Sequence, residues 1–152
     1  MRNVRRAREC DYPDLAGAIQ DWWDSPGLDT PEAQRERAAL LPRLFLQHFA
    51  DTSWIAEEDG SLRAFLIGFL SSTHPDEGYI HFVGVAPNAR RCGVGRALYE
   101  QFFEMCRAQA RLRVRAITSP QNQRSIAFHR AMSFALEAGD AEQDGVPVKR
   151  DY

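Results

Sequence analysis

Apolar positions along the chain alternate between strand spacing and helix spacing from one end to the other. Asn3–Ala7 predicts a short first strand. Leu15, Ile19 and Trp22–Trp23 then recur at three- and four-residue intervals, which predicts a helix from Asp11 to about Trp23. Asp11 can cap it, and Pro13 sits in the first turn, where a missing N–H costs little. Ser25-Pro26-Gly27 ends that helix. Thr30-Pro31 starts a second one, which Pro42 divides; Leu40, Leu41, Leu44, Phe45 and Phe49 supply the apolar side of its second piece. Ser53–Glu58 and Leu62–Ser71 read as strands joined by Asp59-Gly60, a short-hairpin signal. His74-Pro75-Asp76-Glu77-Gly78 reads as a turn, and Tyr79–Val85 as a strand apolar on both faces, hence central in a sheet. A helix from Val94 to Ala110 follows, with Leu98, Phe102 and Met105 on one face. Arg113–Thr118 is a strand, Asn122–Met132 a helix and Phe134–Ala138 a strand. Antiparallel hairpins come first and βα units second. The prediction is an α/β chain with a mixed sheet and helices on both faces.

Composition narrows this picture rather than redirecting it. The 152 residues suit one domain over 1–152, with no repeat, low-complexity segment or linker. A net charge of −2, and no basic stripe interleaved with aromatics, give no reason to expect nucleic acid. Arg2, Arg5, Arg6 and Arg8 are expected to be a solvated face of the first strand. The longest apolar run, Ala64–Leu70, is too short to span a bilayer, and no apolar segment follows the N-terminal arginines as a signal peptide requires. Cys10, Cys92 and Cys106 have neither metal-ligand spacing nor the even number of a disulfide framework. The expectation is a cytoplasmic protein without a metal.

Chemistry concentrates where the strand at 79–85 runs through Ala86-Pro87-Asn88-Ala89 into Arg90-Arg91-Cys92-Gly93-Val94-Gly95-Arg96 and a helix. Glycines at 93 and 95 let backbone N–H groups approach an anion, the helix start adds unpaired donors and a favourable dipole, and Arg90, Arg91 and Arg96 add charge. The same residues could form only a tight turn. The chain lacks the Gly-Lys-Ser/Thr of a triphosphate loop and the third glycine of a dinucleotide fingerprint.

Arg90-x-x-Gly93-x-Gly95 resembles the coenzyme A signature Gln/Arg-x-x-Gly-x-Gly/Ala of the GNAT superfamily of N-acetyltransferases. Val83-Gly84-Val85-Ala86-Pro87 is similar to the family's strand-to-loop lead-in. Asn122, Ser125-Ile126-Ala127-Phe128 and Ser133-Phe134 resemble its second motif, with Ser133 where the family prefers glycine. The resemblance covers about Asn3 to Ala138. It implies a GNAT-like acyl-CoA N-acyltransferase fold, a central sheet splayed between the strands at 79–85 and 112–118. Acetyl-CoA would be the co-substrate. Val83, Gly84 and Val85 would pair with the pantetheine arm, amides of Arg91, Cys92, Gly93, Val94, Gly95 and Arg96 would hold the pyrophosphate, and Asn122 would bond the arm from the other side, with Ser125 and Phe128 beside it.

The resemblance also implies an activity: transfer of acetyl to a primary amine, of a small molecule or a peptide, by direct attack in a ternary complex. A non-catalytic acyl-CoA-binding regulatory module is the alternative. His129 stands where many members carry the tyrosine that protonates the leaving thiolate; it either takes that role or only packs. His81 is a base or a hydrogen-bonded sheet histidine; side-chain alternation puts it on the face of Val83 and Val85. Tyr79, two residues earlier, stands where other members carry a catalytic Glu. Glu77 either acts through water or is a solvated turn residue. The amine acceptor should be chosen by residues 12–50 and the tail. Family members end with two antiparallel strands, but only Gly145–Tyr152 remains for the second. It is short, absent, or supplied by a partner copy in a homodimer.

Overall fold

The computed structural model describes residues 2–118, 122–136 and 146–151. They group into two compact units, Met1–Gly68 with Phe82–Phe102 and Phe69–His81 with Phe103–Tyr152.

In the first unit, β1 (Arg2–Arg6), β2 (Trp54–Glu58) and β3 (Ser61–Leu70, to Gly68 in this unit) form an antiparallel ladder in that order. The Asp59-Gly60 turn closes the β2–β3 hairpin, with both residues at positive φ (52° and 77°). Such values are what a two-residue hairpin turn requires. Helices α1 (Tyr12–Asp21), α2 (Pro31–Leu40) and α3 (Leu44–His48) lie between β1 and β2 in the chain, and Pro42 separates the last two as the sequence predicts. Leu15 and Ile19 of α1 bury against Ile55, Phe65, Ile67 and Phe82. Two such side chains contribute roughly 3–6 kcal/mol when fully buried. Trp22 and Trp23 extend this core onto Phe65 and Phe82, with ring centroids 5.7 and 5.6 Å apart. Trp54, one residue before Ile55, packs edge-on against Phe102 of α4 (Val94–Ala108). Side chains alternate across a strand, so within this unit helices cover both faces of the sheet.

Two expectations are corrected here. Asp11 does not cap α1 with its side chain; it accepts both Arg5 Nη atoms at 2.8 and 2.9 Å and the Arg8 amide at 2.8 Å. Nor are the N-terminal arginines wholly a solvated face: Arg2, Arg6 and Arg8 are exposed as expected, but Arg5 is half-buried. Arg5 also pairs with Glu57 at 3.0 Å, Arg6 lies over the Trp54 ring, and Arg2 donates to the Cys92 carbonyl. The carboxylates of Asp11 and Glu57 outcompete water for Arg5 because two of them converge on one planar donor fork.

In the second unit the order is β4 (Glu77–Val85, to His81 in this unit), β5 (Arg113–Thr118), β7 (Val146–Asp151), β6 (Ala135–Leu136). β4 and β5 are parallel; β7 runs antiparallel to both β5 and β6. The sheet is therefore mixed, as expected. The last strand comes from this chain itself, so no partner copy is needed to supply it. Helix α5 (Gln123–Ala131) joins β5 to β6. Arg111 gathers the carbonyls of Ser71, His74 and Glu77 at 2.8–3.2 Å and so closes the turn before β4. The part of the predicted last strand beyond Leu136 and the stretch before Val146 lie outside the described residues.

Candidate functional site

β4 shows the alternation that a one-sided opening needs. Gly78, Ile80, Phe82 and Gly84 are buried, whereas Tyr79, His81, Val83 and Val85 are half-buried. At Gly84 an added Cβ would lie 2.6 Å from the Phe65 ring and 3.1 Å from Trp23, so packing alone demands glycine there. After Val85, the Ala86 amide bonds the Arg63 carbonyl at 2.8 Å, and the Ala89 amide returns to Ala86 across the Pro87–Ala89 turn.

The segment that follows is an amide-rich turn on a helix start. Arg91 has φ +64° and Gly93 φ +81°. Left-handed backbone costs about 1–2 kcal/mol outside glycine, so the strain at Arg91 marks a conformation that the surroundings impose. Gly93 supplies the first helical carbonyl, which accepts the Ala97 amide at 3.0 Å. The amides of Val94, Gly95 and Arg96 then have no carbonyl partner within the helix, and the helix dipole favours an anion in front of them. Arg91, Cys92, Gly93 and Arg96 are exposed, while Val94 and Gly95 are buried. The Cys92 thiol donates to the Ala89 carbonyl at 2.6 Å, which ties the turn to itself.

Arg90 does not lend its charge to this turn as expected. Its Nη2 donates to the Trp22 carbonyl at 2.8 Å, and Nη1 lies 3.6 Å from Asp24. The signature arginine thus fastens the end of α1 to the turn. Arg91 and Arg96 remain as exposed charges.

The second unit holds the other candidates. Glu77 is not a solvated turn residue: it is the first residue of β4, buried, with Arg115 donating to Oε1 at 2.8 Å and Arg113 at 3.6 Å. Two guanidinium groups therefore hold this one carboxylate. Tyr79 stacks on Phe69 with centroids 5.3 Å apart. The β4–β5 ladder joins Glu77 to Arg113 and, among the described residues, ends at Ile80 and Ala116, one residue before His81.

Asn122 caps α5: its Oδ1 accepts the Ser125 amide at 3.1 Å. Ser125 Oγ receives the hydroxyl of Thr118 at 2.6 Å and lies 3.3 Å from His129 Nδ1. That Nδ1 is 2.7 Å from the Ser125 carbonyl. A carbonyl only accepts, so the ring's hydrogen is on Nδ1. His129 is buried between the rings of Phe128 and Phe134, and burial outweighs the Ser125 hydrogen bond, lowering its pKa. Thr118 has no signal in the sequence, since a β-branched residue at a strand end is unremarkable.

The family model for the acetyltransferase (GNAT) family matches residues 15–134. The chain belongs to the acetyltransferase (GNAT) family. Residues 15–134 contain both the 90–96 turn and α5, so the two motifs fall inside the matched region. An L-2,4-diaminobutyric acid acetyltransferase of Nocardia farcinica is 30% identical over 124 residues, which are 80% of this chain and 61% of that protein. The chain therefore spans about three-fifths of the relative's length. Among solved GNAT structures, PaiA N-acetyltransferase from Thermoplasma acidophilum in complex with coenzyme A has a TM-score of 0.85 at 15% identity, covering 100% of this chain and 99% of that one. Diaminobutyrate acetyltransferase EctA from Paenibacillus lautus, in complex with its substrate and coenzyme A, has a TM-score of 0.74 at 21% identity, covering 99% and 95%. These likenesses establish the GNAT fold. No described helix is long and apolar enough to cross a membrane, and among the described residues no group of His, Cys, Asp or Glu is arranged to hold a metal.

Proposed function

We propose that this chain is a cytoplasmic, one-domain N-acetyltransferase that takes acetyl from acetyl-CoA and gives it to a primary amine of a small molecule. The turn at 91–96 carries the reading. Its strained Arg91, its Gly93 at φ +81° and the first-turn amides of α4 suit a pyrophosphate, within a family-matched segment. Val83–Val85, half-buried on alternate residues, would pair with the pantetheine arm, and the Asn122 side-chain amide would bond that arm, its Oδ1 being taken by the helix cap. Diamino acids are the first acceptor class to consider, because the Nocardia relative is named for one.

In the proposed reaction His81 removes a proton from the acceptor ammonium, directly or through water. The amine then attacks the thioester carbonyl in a ternary complex, and a backbone N–H of 83–85 stabilises the oxyanion. His129 or a water returns a proton to the sulfur. Glu77 is set aside as base because Arg115 and Arg113 occupy its carboxylate. Orientation supplies most of the acceleration.

The test is thiol release from acetyl-CoA against 2,4-diaminobutyrate, polyamines, aminoglycosides, amino acids and peptide N-termini. Saturable release with at least one amine is expected, and His81→Ala should lower kcat by about 10²–10⁴ while acetyl-CoA still binds. Arg96→Glu, a change that α4 tolerates in its first turn, should weaken acetyl-CoA binding about tenfold in calorimetry. Tight acetyl-CoA binding without release across the panel would make the chain a binding module instead.

A further inference from the structure

Helix α2 meets α1 without an apolar stripe. Its one buried residue is a cation, Arg37, only 8% exposed, while Ala38, Ala39 and Leu40 are exposed. Arg37 Nε donates to the Ile19 carbonyl at 3.3 Å, and Nη1 donates to the Leu28 carbonyl at 2.5 Å. The guanidinium carbon lies 5.2 Å from the centre of the Trp23 ring. Nη2 is buried and has no hydrogen-bond partner among the described residues. Burial lowers the pKa of the group, and the one carboxylate whose charge opposes this, Asp29, is itself exposed.

Fastening α2 to α1 explains two of the three nitrogens. The Ile19 carbonyl belongs to the last turn of α1, where carbonyls have no donor within the helix, and Leu28 lies in the connection between α1 and α2. That task does not call for a cation: Gln34 serves the Gln20 carbonyl at 3.5 Å with a neutral amide. A buried guanidinium costs desolvation that carbonyl dipoles offset only in part, and an unmade donor adds to that cost. The place of this cost in the first unit is informative. Trp23 packs edge-on against Phe82 with centroids 5.6 Å apart, and its Cη2 would lie 3.1 Å from a Cβ at Gly84. One indole ring therefore separates Arg37 from Gly84, the middle of the Val83–Val85 stretch proposed to hold the pantetheine arm.

We propose that Arg37 is a specificity-determining residue of the acceptor site and takes a carboxylate carried by the amine substrate. The inference deepens the acetyltransferase reading and rests on it. The carboxylate exchanges with the Leu28 carbonyl, so that its two oxygens bond Nη1 and Nη2 side by side. Such a fork satisfies Nη2, gives the buried cation a counter-charge, and is stronger than the neutral bond it replaces. Leu28 can give way because Gly27 and Asp29 on either side of it are exposed, and an added Cβ at Gly27 would meet nothing within 4 Å. The ligand class is an amino acid or diamino acid that carries its reacting amine and its carboxylate on one short carbon chain. An amine without a carboxylate leaves Nη2 unsatisfied and gains nothing from Arg37.

The experiment pairs each acid with the amine that lacks only its carboxylate: 2,4-diaminobutyrate with 1,3-diaminopropane, ornithine with 1,4-diaminobutane, lysine with 1,5-diaminopentane. Thiol release is followed in wild type, Arg37→Met and Arg37→Lys as full chains. Wild type should favour at least one acid over its partner by about tenfold or more in kcat/KM. Arg37→Met keeps a long side chain over Trp23 but no charge. It should lower that ratio about tenfold or more, through the KM for the acid rather than through kcat. A loss that is equal for acid and amine is the mark of a structural role and overturns the proposal, as does an unchanged ratio. If Arg37→Met does not fold, Arg37→Lys is read in the same way. It keeps the charge but presents one nitrogen in place of a fork, and an unchanged ratio there overturns the proposal equally. Wild type that uses both members of every pair alike overturns this proposal and leaves the acetyltransferase reading standing. Thiol release with no amine at all overturns that reading, and this one with it.

Discussion

Ser133 has φ +68°, in the region that glycine occupies without cost and other residues at about 1–2 kcal/mol. It stands just past α5, where the Phe134 amide returns to the His129 carbonyl and the Ser133 amide to that of Arg130. A family preference for glycine at this position therefore has a backbone reason, and the serine has kept the glycine's conformation instead of changing the turn. Its side chain is exposed, so little is lost by removing it. Glycine also loses more entropy on folding, by about 0.5–1 kcal/mol. The balance predicts that Ser133→Gly stabilises the chain by roughly 0.5–1 kcal/mol, seen as a higher urea midpoint at unchanged slope. A lower midpoint would mean that the serine makes a contact worth more than the strain.

At the scale of elements, the sequence placed most boundaries within two residues, and the misses have physical causes. β5 falls on Arg113–Thr118 as the pattern predicts, because polar and apolar residues alternate from Arg113 to Ala116, and only Ile117, exposed, and Thr118, buried, break the pattern. β4 begins at Glu77 rather than Tyr79, since a charged residue reads as turn until its pairing with Arg115 is visible. The glycine-bearing turn at 90–96 and the helix start after it are legible in the sequence, but the employment of Arg90 is not, because Trp22 and Asp24 lie more than sixty residues away in the chain. Thr118 joins the site through a partner that no periodicity reveals. The Arg90 contacts make a prediction that separates fastening from anion binding. Arg90→Ala should destabilise by about 1–3 kcal/mol, the range for a hydrogen bond to a charged group, and leave acetyl-CoA affinity within about threefold. A tenfold loss of affinity at unchanged thermal midpoint would return Arg90 to the cradle.

For the whole chain, the ionisable groups that folding perturbs predict how stability follows pH. His129 is depressed below its ordinary value of 6.5 by burial, against the opposing Ser125 hydrogen bond. As pH falls past that ordinary value the unfolded chain takes up a proton that the folded chain refuses, so the unfolded state gains. The stability tied to His129 is full above about 6.5 and is lost as pH falls towards the folded value, at about 1.4 kcal/mol per unit of depression. Asp11 and Glu57 act lower. Burial would raise the Asp11 carboxyl, but hydrogen bonds from Arg5 and the Arg8 amide hold it below its usual range, and Arg5 does the same for Glu57. Their contribution is present above the ordinary carboxylate range and is lost as pH falls through their folded values. Urea unfolding from pH 8 to 3 should therefore weaken in two stages, the first below about 6.5 and the second below about 4. His129→Gln, which cannot titrate, should remove the first stage and keep the second. Arg5→Met should do the reverse, because it strips both carboxylates of their shared partner and leaves the histidine untouched. If His129→Gln keeps the first stage, another group is titrating there.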